Sequence, residues 1–223
     1  MSSEASQLWL RRLWKTGVVA VVVIDDADQA EPMTEALLAG GVDLLELTLR
    51  TPAALEAIRR IRRSFPTIGL GVGTLLRPEQ VEQVVDLGAD FGVAPGLNLK
   101  VVDAARKAGL PFAPGVFTPS EIEMAVESGC HLLKFFPATS DGGSRNFKTI
   151  TAPYNHLELK YIPLGGLSLS TAETFLEIPS VAALGGSWIA PRELIRSRDW
   201  LGVRKNAQEI SDKVRSLRKV LTP

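Results

Sequence analysis

Leu44-Leu45-Glu46-Leu47-Thr48-Leu49-Arg50-Thr51-Pro52 is the stretch from which the fold reads most directly. Leucines at 45, 47 and 49 alternate with Glu46, Thr48 and Arg50, the period of two that a β-strand imposes. Thr51-Pro52 then offers a capping hydroxyl before a proline at the first helical position, and Leu55, Ile58 and Ile61 form a helical stripe. Strands separated by helices imply a parallel sheet.

The unit recurs along the chain. Residues 18–25, 42–50, 68–75, 91–95, 111–117, 132–138, 160–166 and 181–189 read as strands, spaced about 23 residues apart, room for a helix of 10–15 residues between each pair. Thr118-Pro119-Ser120-Glu121 repeats the helix start, and Arg77-Pro78-Glu79-Gln80 is a weaker version. Gly40-Gly41, Gly88, Gly109 and Gly129 stop helices just ahead of the next strand. No linker-like stretch interrupts the pattern. Residues 1–223 therefore read as a single (β/α)8 TIM barrel domain of the α/β class, with residues 1–16 as an extra N-terminal capping helix.

An open dinucleotide-binding sheet is the alternative, and it should show G-x-G-x-x-G after its first strand. Here Asp25-Asp26-Ala27-Asp28 follows that strand and would repel a pyrophosphate, while Gly69-Leu70-Gly71-Val72-Gly73 has the wrong spacing and lies inside a strand. In the N-terminal segment Trp9, Leu10, Leu13 and Trp14 form an apolar stripe for docking on one end of the domain. Membrane anchoring would ordinarily take a second signal.

Composition narrows the function classes. Of 223 residues 45% are hydrophobic, and 25 basic side chains balance 25 acidic ones, against both disorder and an electrostatic nucleic-acid binder. The lone Cys130 forms no internal disulfide and fits a reducing, cytoplasmic setting. With only His131 and His156 available, metal hydrolysis is disfavoured and no metal site is expected. The longest aliphatic run, residues 18–24, falls far short of the roughly 20 residues of a membrane span.

Chemistry in such a barrel sits at the C-terminal ends of the strands. If leucines 45, 47 and 49 meet the helices, Glu46, Thr48 and Arg50 point inward. The plain alternative is a buried Glu46–Arg50 ion pair that only fixes register, an arrangement of little net stability. In Leu132-Leu133-Lys134-Phe135-Phe136-Pro137 a lysine interrupts an apolar run, with Phe136 on its own face. Burial disfavours an ammonium ion, as a Schiff-base nucleophile requires; the alternative is a side chain that snorkels to the strand end. A lysine and a carboxylate inside one barrel favour imine chemistry. Thr74 closes a small-residue stretch with room for a ligand, and Gly165-Gly166 with Gly185-Gly186-Ser187 read as an anion cradle or as tight turns.

Taken in order, six motifs resemble one family. They are Glu46-Leu47-Thr48-Leu49-Arg50-Thr51, Gly71-Val72-Gly73-Thr74-Leu75, Ala94-Pro95-Gly96, Pro114-Gly115-Val116, Lys134-Phe135-Phe136-Pro137-Ala138 and Leu184-Gly185-Gly186-Ser187-Trp188. From about residue 18 to 190 the chain resembles the 2-keto-3-deoxy-6-phosphogluconate (KDPG) / 4-hydroxy-2-oxoglutarate (KHG) aldolase family, class I lyases of the Entner–Doudoroff pathway. The resemblance implies Lys134 as Schiff-base lysine and Glu46 as general acid/base. It implies Arg50 and Thr74 at the pyruvate carboxylate, and Phe136 and Pro95 as pocket walls. Gly165, Gly166, Gly186 and Ser187 fall where the substrate phosphate is received. It further implies a phosphorylated 2-keto-4-hydroxy acid as substrate, no metal or organic cofactor, and a homotrimer; charge balance and the short apolar runs argue separately for no nucleic-acid or membrane partner.

Two departures stand out. Leu164 in Pro163-Leu164-Gly165-Gly166 replaces a threonine that the family associates with the substrate hydroxyl, and the segment 139–147 departs from the commoner Glu-x-x-Gly-Gly. Two rival readings use the same residues: a phosphosugar isomerase or epimerase working through carboxylates, and a phosphosugar-binding sensor without catalysis.

Overall fold

The computed structural model describes residues 4–139 and 142–221. All eight expected strand segments are present, shorter than the sequence pattern, as β1 (Val18–Val22), β2 (Leu44–Thr48), β3 (Gly69–Gly73), β4 (Phe91–Val93), β5 (Phe112–Ala113), β6 (Gly115–Val116), β7 (Leu132–Phe135), β8 (Lys160–Pro163) and β9 (Leu184–Gly186). Between and around them run α1 (Glu4–Thr16), α2 (Ala30–Ala39), α3 (Ala54–Ser64), α4 (Pro78–Asp86), α5 (Leu99–Lys107), α6 (Pro119–Glu127), α7 (Ser144–Thr151), α8 (Leu169–Leu176), α9 (Arg192–Arg196) and α10 (Trp200–Leu221). Every ladder is parallel.

The expected closed eight-stranded barrel is resolved here as two ladders. One is six-stranded in the order β5-β4-β3-β2-β1-β9, the other three-stranded in the order β6-β7-β8. The break falls at Pro114, which divides the segment read as one strand: β5 pairs with β4 and β6 with β7. Proline brings no N–H to a ladder. Its carbonyl still accepts from Lys134 N (2.9 Å). Gly115 faces the Pro95–Gly96 backbone so closely that a Cβ there would collide with it. At the other seam two isolated parallel bridges, Tyr161↔Val181 and Leu164↔Gly185, join β8 to the β9 segment.

The period-two reading of β2 holds for its leucines. Leu45 and Leu47 join the core shared with the helices, and Leu49 packs against it. A second core lies between the sheets' inner faces: Val19, Leu44, Phe91, Val93, Ala113 and Ile162, closed from below by Trp9 and Leu13 of α1. Trp9 stacks on Phe91 with ring centroids 4.0 Å apart. Arg12 donates to the Thr67 carbonyl and pairs with Asp43, pinning α1 beneath β2 and β3. Trp14 leaves the expected docking stripe; it is exposed and lies over the Arg218 guanidinium (4.7 Å).

Local starts and stops mostly follow the sequence. Thr118 and Glu121 form the expected capping box, and Gly41, Gly88, Gly109 and Gly129 take positive φ after their helices. The start read at Pro52 is corrected. The helix begins at Ala54, and the Thr51 hydroxyl instead donates to the Ile24 carbonyl, tying the ends of β1 and β2 together.

Candidate active site

Glu46 on β2 and Lys134 on β7 come from the two different ladders and meet between them. Lys134 Nζ donates to Glu46 Oε1 at 3.3 Å, with the residues 5% and 3% exposed, so water is nearly absent from the pair. Phe136, one residue past β7, sets its ring 5.6 Å from Nζ. Both alternatives for these residues are thereby decided: Lys134 does not snorkel out, and Glu46 is not the partner of Arg50.

Arg50 corrects the inward expectation. It lies beyond the end of β2, is exposed, and donates from Nε to Thr48 Oγ1 (3.1 Å). Thr48 is buried and donates to the Val22 carbonyl (3.1 Å), so the threonine fixes the arginine to the rim. Alternation along β2 puts Thr48 on this face, but its tether to Arg50 arises only from the folded geometry.

The other expected residues follow strand ends on the same side. Thr74, one residue past β3, is half-buried with φ 65°, a left-handed conformation that a β-branched residue adopts only when its surroundings enforce it. Pro95 follows β4 and is exposed. Leu164 follows β8, is 9% exposed, and lies over Gly185, whose missing side chain makes its room. Gly165 and Gly166 turn at φ 101° and 74°, with the Phe136 ring against the first and the Thr139 hydroxyl against the second. Thr139 Oγ1 donates to the Gly165 carbonyl (3.2 Å). Beyond Thr139, positions 140 and 141 of the divergent segment lie outside the described residues.

All four glycines of the expected cradle have occupied side-chain space: Leu164 lies over Gly185 and the Trp188 ring over Gly186, as Phe136 and Thr139 do over Gly165 and Gly166. Gly166 and Ser187 are exposed. The bare face of β3 is likewise occupied rather than left open for a ligand: Leu44 lies over Gly69, Phe91 over Gly71 and Glu46 over Gly73.

Further out, Asp25 after β1 accepts from Arg192 and Arg196 of α9, which hold its carboxyl well below the ordinary carboxylate range. Among the described residues no three His, Cys, Asp or Glu side chains are grouped to hold a metal ion, and no helix is long and apolar enough to cross a membrane. Cavities of about 1200 Å³ and 440 Å³ share Leu10 and His131, and neither is lined by Lys134 or Glu46. A buried amine held against a carboxylate, rimmed by a tethered guanidinium and glycine turns, can attack a carbonyl and shuttle its protons.

A profile of the KDPG and KHG aldolases matches residues 10–206. The chain belongs to that family. It is 37% identical to the 2-dehydro-3-deoxy-phosphogluconate aldolase of Haemophilus influenzae over 210 residues, 94% of this chain and 98% of that one. It is also 37% identical to the KHG/KDPG aldolase of Escherichia coli K12 over 205 residues, 88% and 95% of the two chains. The KDPG aldolase of Legionella pneumophila, solved with pyruvate captured as a covalent carbinolamine, superposes with a TM-score of 0.85 at 34% identity, covering 92% of this chain and 97% of that one. These aldolase relatives give no support to the isomerase, epimerase or sensor readings.

Proposed function

We propose that this family member is a class I aldolase that cleaves 2-keto-3-deoxy-6-phosphogluconate to pyruvate and glyceraldehyde 3-phosphate, and 4-hydroxy-2-oxoglutarate to pyruvate and glyoxylate. The observation that carries the reading is the buried Lys134–Glu46 contact of 3.3 Å in a family where a solved relative holds pyruvate as a carbinolamine.

In the proposed reaction Lys134 Nζ attacks the C2 ketone, and the carbinolamine loses water to leave a protonated imine. Glu46 accepts and returns protons in those steps, directly or through a water. It then takes the C4 hydroxyl proton as the C3–C4 bond breaks; the bond's electron pair flows into the iminium, giving an enamine and a free aldehyde. Protonation at C3 and hydrolysis release pyruvate and restore the amine. Arg50 and Thr74 serve the pyruvate carboxylate, and Phe136 and Pro95 wall the pocket. Leu164 lies beside the substrate chain, while Gly165, Gly166, Gly186 and Ser187 receive the phosphate; no metal or organic cofactor takes part.

We further infer that the two ladders form one (β/α)8 barrel domain across residues 1–223. The bridges at Tyr161 and Leu164 and the Pro114 hinge between β5 and β6 support it. The family resemblance supports a homotrimer, measurable by sedimentation, and the single Cys130 supports a cytoplasmic setting.

Borohydride with pyruvate tests the mechanism. Reduction should fix a pyruvate-derived adduct on Lys134, found by peptide mass. Lys134→Ala should lose both adduct and lyase activity. Because that change strands a buried carboxylate, it also costs about 3–5 kcal/mol of stability, so Lys134→Arg, which keeps the charge without an imine-forming amine, accompanies it. Native turnover in either variant would refute the imine.

A further inference from the structure

Gly73 is the last residue of β3 and lies against the carboxylate of Glu46. A Cβ built there would collide with Glu46 Oε1 and stand 2.7 Å from Cδ and 2.9 Å from Cγ, closer than real side chains approach. Oε1 is also the atom that receives the Lys134 Nζ hydrogen bond. The glycine and the amine therefore both lie against the same oxygen.

Other routes for that carboxylate are closed. Glu46 is in register with Gly71 on β3 and Val21 on β1. The space over Gly71 belongs to the Phe91 ring, which is itself packed on Trp9, and Val21 is buried. Gly73 does not take a positive φ, so its backbone conformation is open to any residue. What the position excludes is a side chain, not a backbone shape.

We infer that Gly73 is a positioning residue: its missing side chain seats Glu46 Oε1 against the Lys134 amine. This rests on the aldolase reading above and adds to it a determinant of proton transfer that touches no substrate. An added methyl group would move the carboxylate by about an ångström, and a displacement of that size costs on the order of 10²-fold in rate.

The test is Gly73→Ala alone and combined with Glu46→Gln, each assayed for turnover and for borohydride trapping of pyruvate. Gly73→Ala should lower kcat about 10²-fold with KM changed less than about threefold, because the loss is of transition-state rather than ground-state interaction. It should still be trapped on Lys134. Added to Glu46→Gln, it should cost little more, since two changes acting through one group are not additive. Turnover within about threefold of native overturns the inference, as does a raised KM at native kcat, or a full additional loss in the Glu46→Gln background. If Gly73→Ala fails to fold, the stability of Glu46→Ala with and without Gly73→Ala decides: no further loss in the double variant places the clash at Glu46, and a further loss as large as that of Gly73→Ala alone rejects it. A native protein that pyruvate and borohydride do not label refutes the aldolase reading and this role with it. A labelled native protein with a fully active Gly73→Ala refutes the positioning role alone.

Discussion

At the residue scale two side chains test the proposed chemistry. Glu46→Gln keeps the shape of the acid but cannot accept a proton, so turnover should fall roughly 10²–10⁴-fold, the usual worth of a positioned acid/base. Steady-state rates measure it, and unchanged turnover would reduce Glu46 to a structural counter-ion for Lys134. Leu164 bears on selectivity. Its side chain fills the room over Gly185 and has no donor to offer a substrate hydroxyl. A hydrogen-bonding site rejects a wrong analogue by about 10⁴-fold, whereas an apolar wall discriminates far less. The native protein should therefore discriminate weakly between C4 epimers, and Leu164→Thr should raise the preference for one of them. The ratio of kcat/KM values for both epimers, before and after the change, checks this. A high native ratio would point instead to a neighbouring hydroxyl such as Thr139, which sits against Gly166 on the same rim.

At the scale of elements, the loop after β1 and helix α9 are joined by one acid. Asp25 pairs with Arg192 and Arg196, and α9 follows the Gly186–Ser187 turn in the chain. These side chains are 30%, 42% and 56% exposed, so each pair contributes about 1 kcal/mol or less. The arginines depress the Asp25 pKa from 3.8 in the folded state, so the clasp is fully stabilising above about pH 4. That stabilisation is lost as the pH falls toward the folded value, where the native carboxyl also protonates. Asp25→Asn should accordingly lower the urea midpoint at pH 7, with the gap to native narrowing at pH 3. An equal gap at both pH values would show that ionisation of Asp25 is not what joins the loop to α9.

Across the whole molecule, the α1-covered core and the candidate site lie at opposite ends. Trp9 and Leu13 close the inner core beneath Phe91, while Lys134 and Glu46 face one another above it. Trp9→Ala removes a side chain that is only 8% exposed and stacked at 4.0 Å on Phe91. A truncation of this kind costs about 3–5 kcal/mol, readable in a denaturant titration. At temperatures where the variant stays folded, kcat should remain within about twofold of native, because the change touches no group at the strand ends. A large fall in kcat would show that the lower core also sets the Glu46 position through Phe91 and Gly71.

The sequence by itself determined the order of strands and helices, the inward direction of Glu46, and most helix ends. Those follow from period-two alternation, capping residues and glycine stops, all local properties of the backbone. The family was legible too, because its motifs are short runs whose order survives in one dimension. Tertiary structure decided the rest. Pro114 leaves the fifth segment paired with β4 before it and with β7 after it, and Thr51 bonds Ile24 rather than capping α3 because the chain leaving β1 passes beside it. Alternation gives the face on which Arg50 lies but not where its strand stops, and the end of β2 at Thr48 leaves Arg50 on the rim. The glycines of β3 read as space for a ligand, yet that space belongs to Leu44, Phe91 and Glu46. Which side chain fills a gap depends on what neighbouring strands bring to it, and that is a property of packing between segments far apart in sequence.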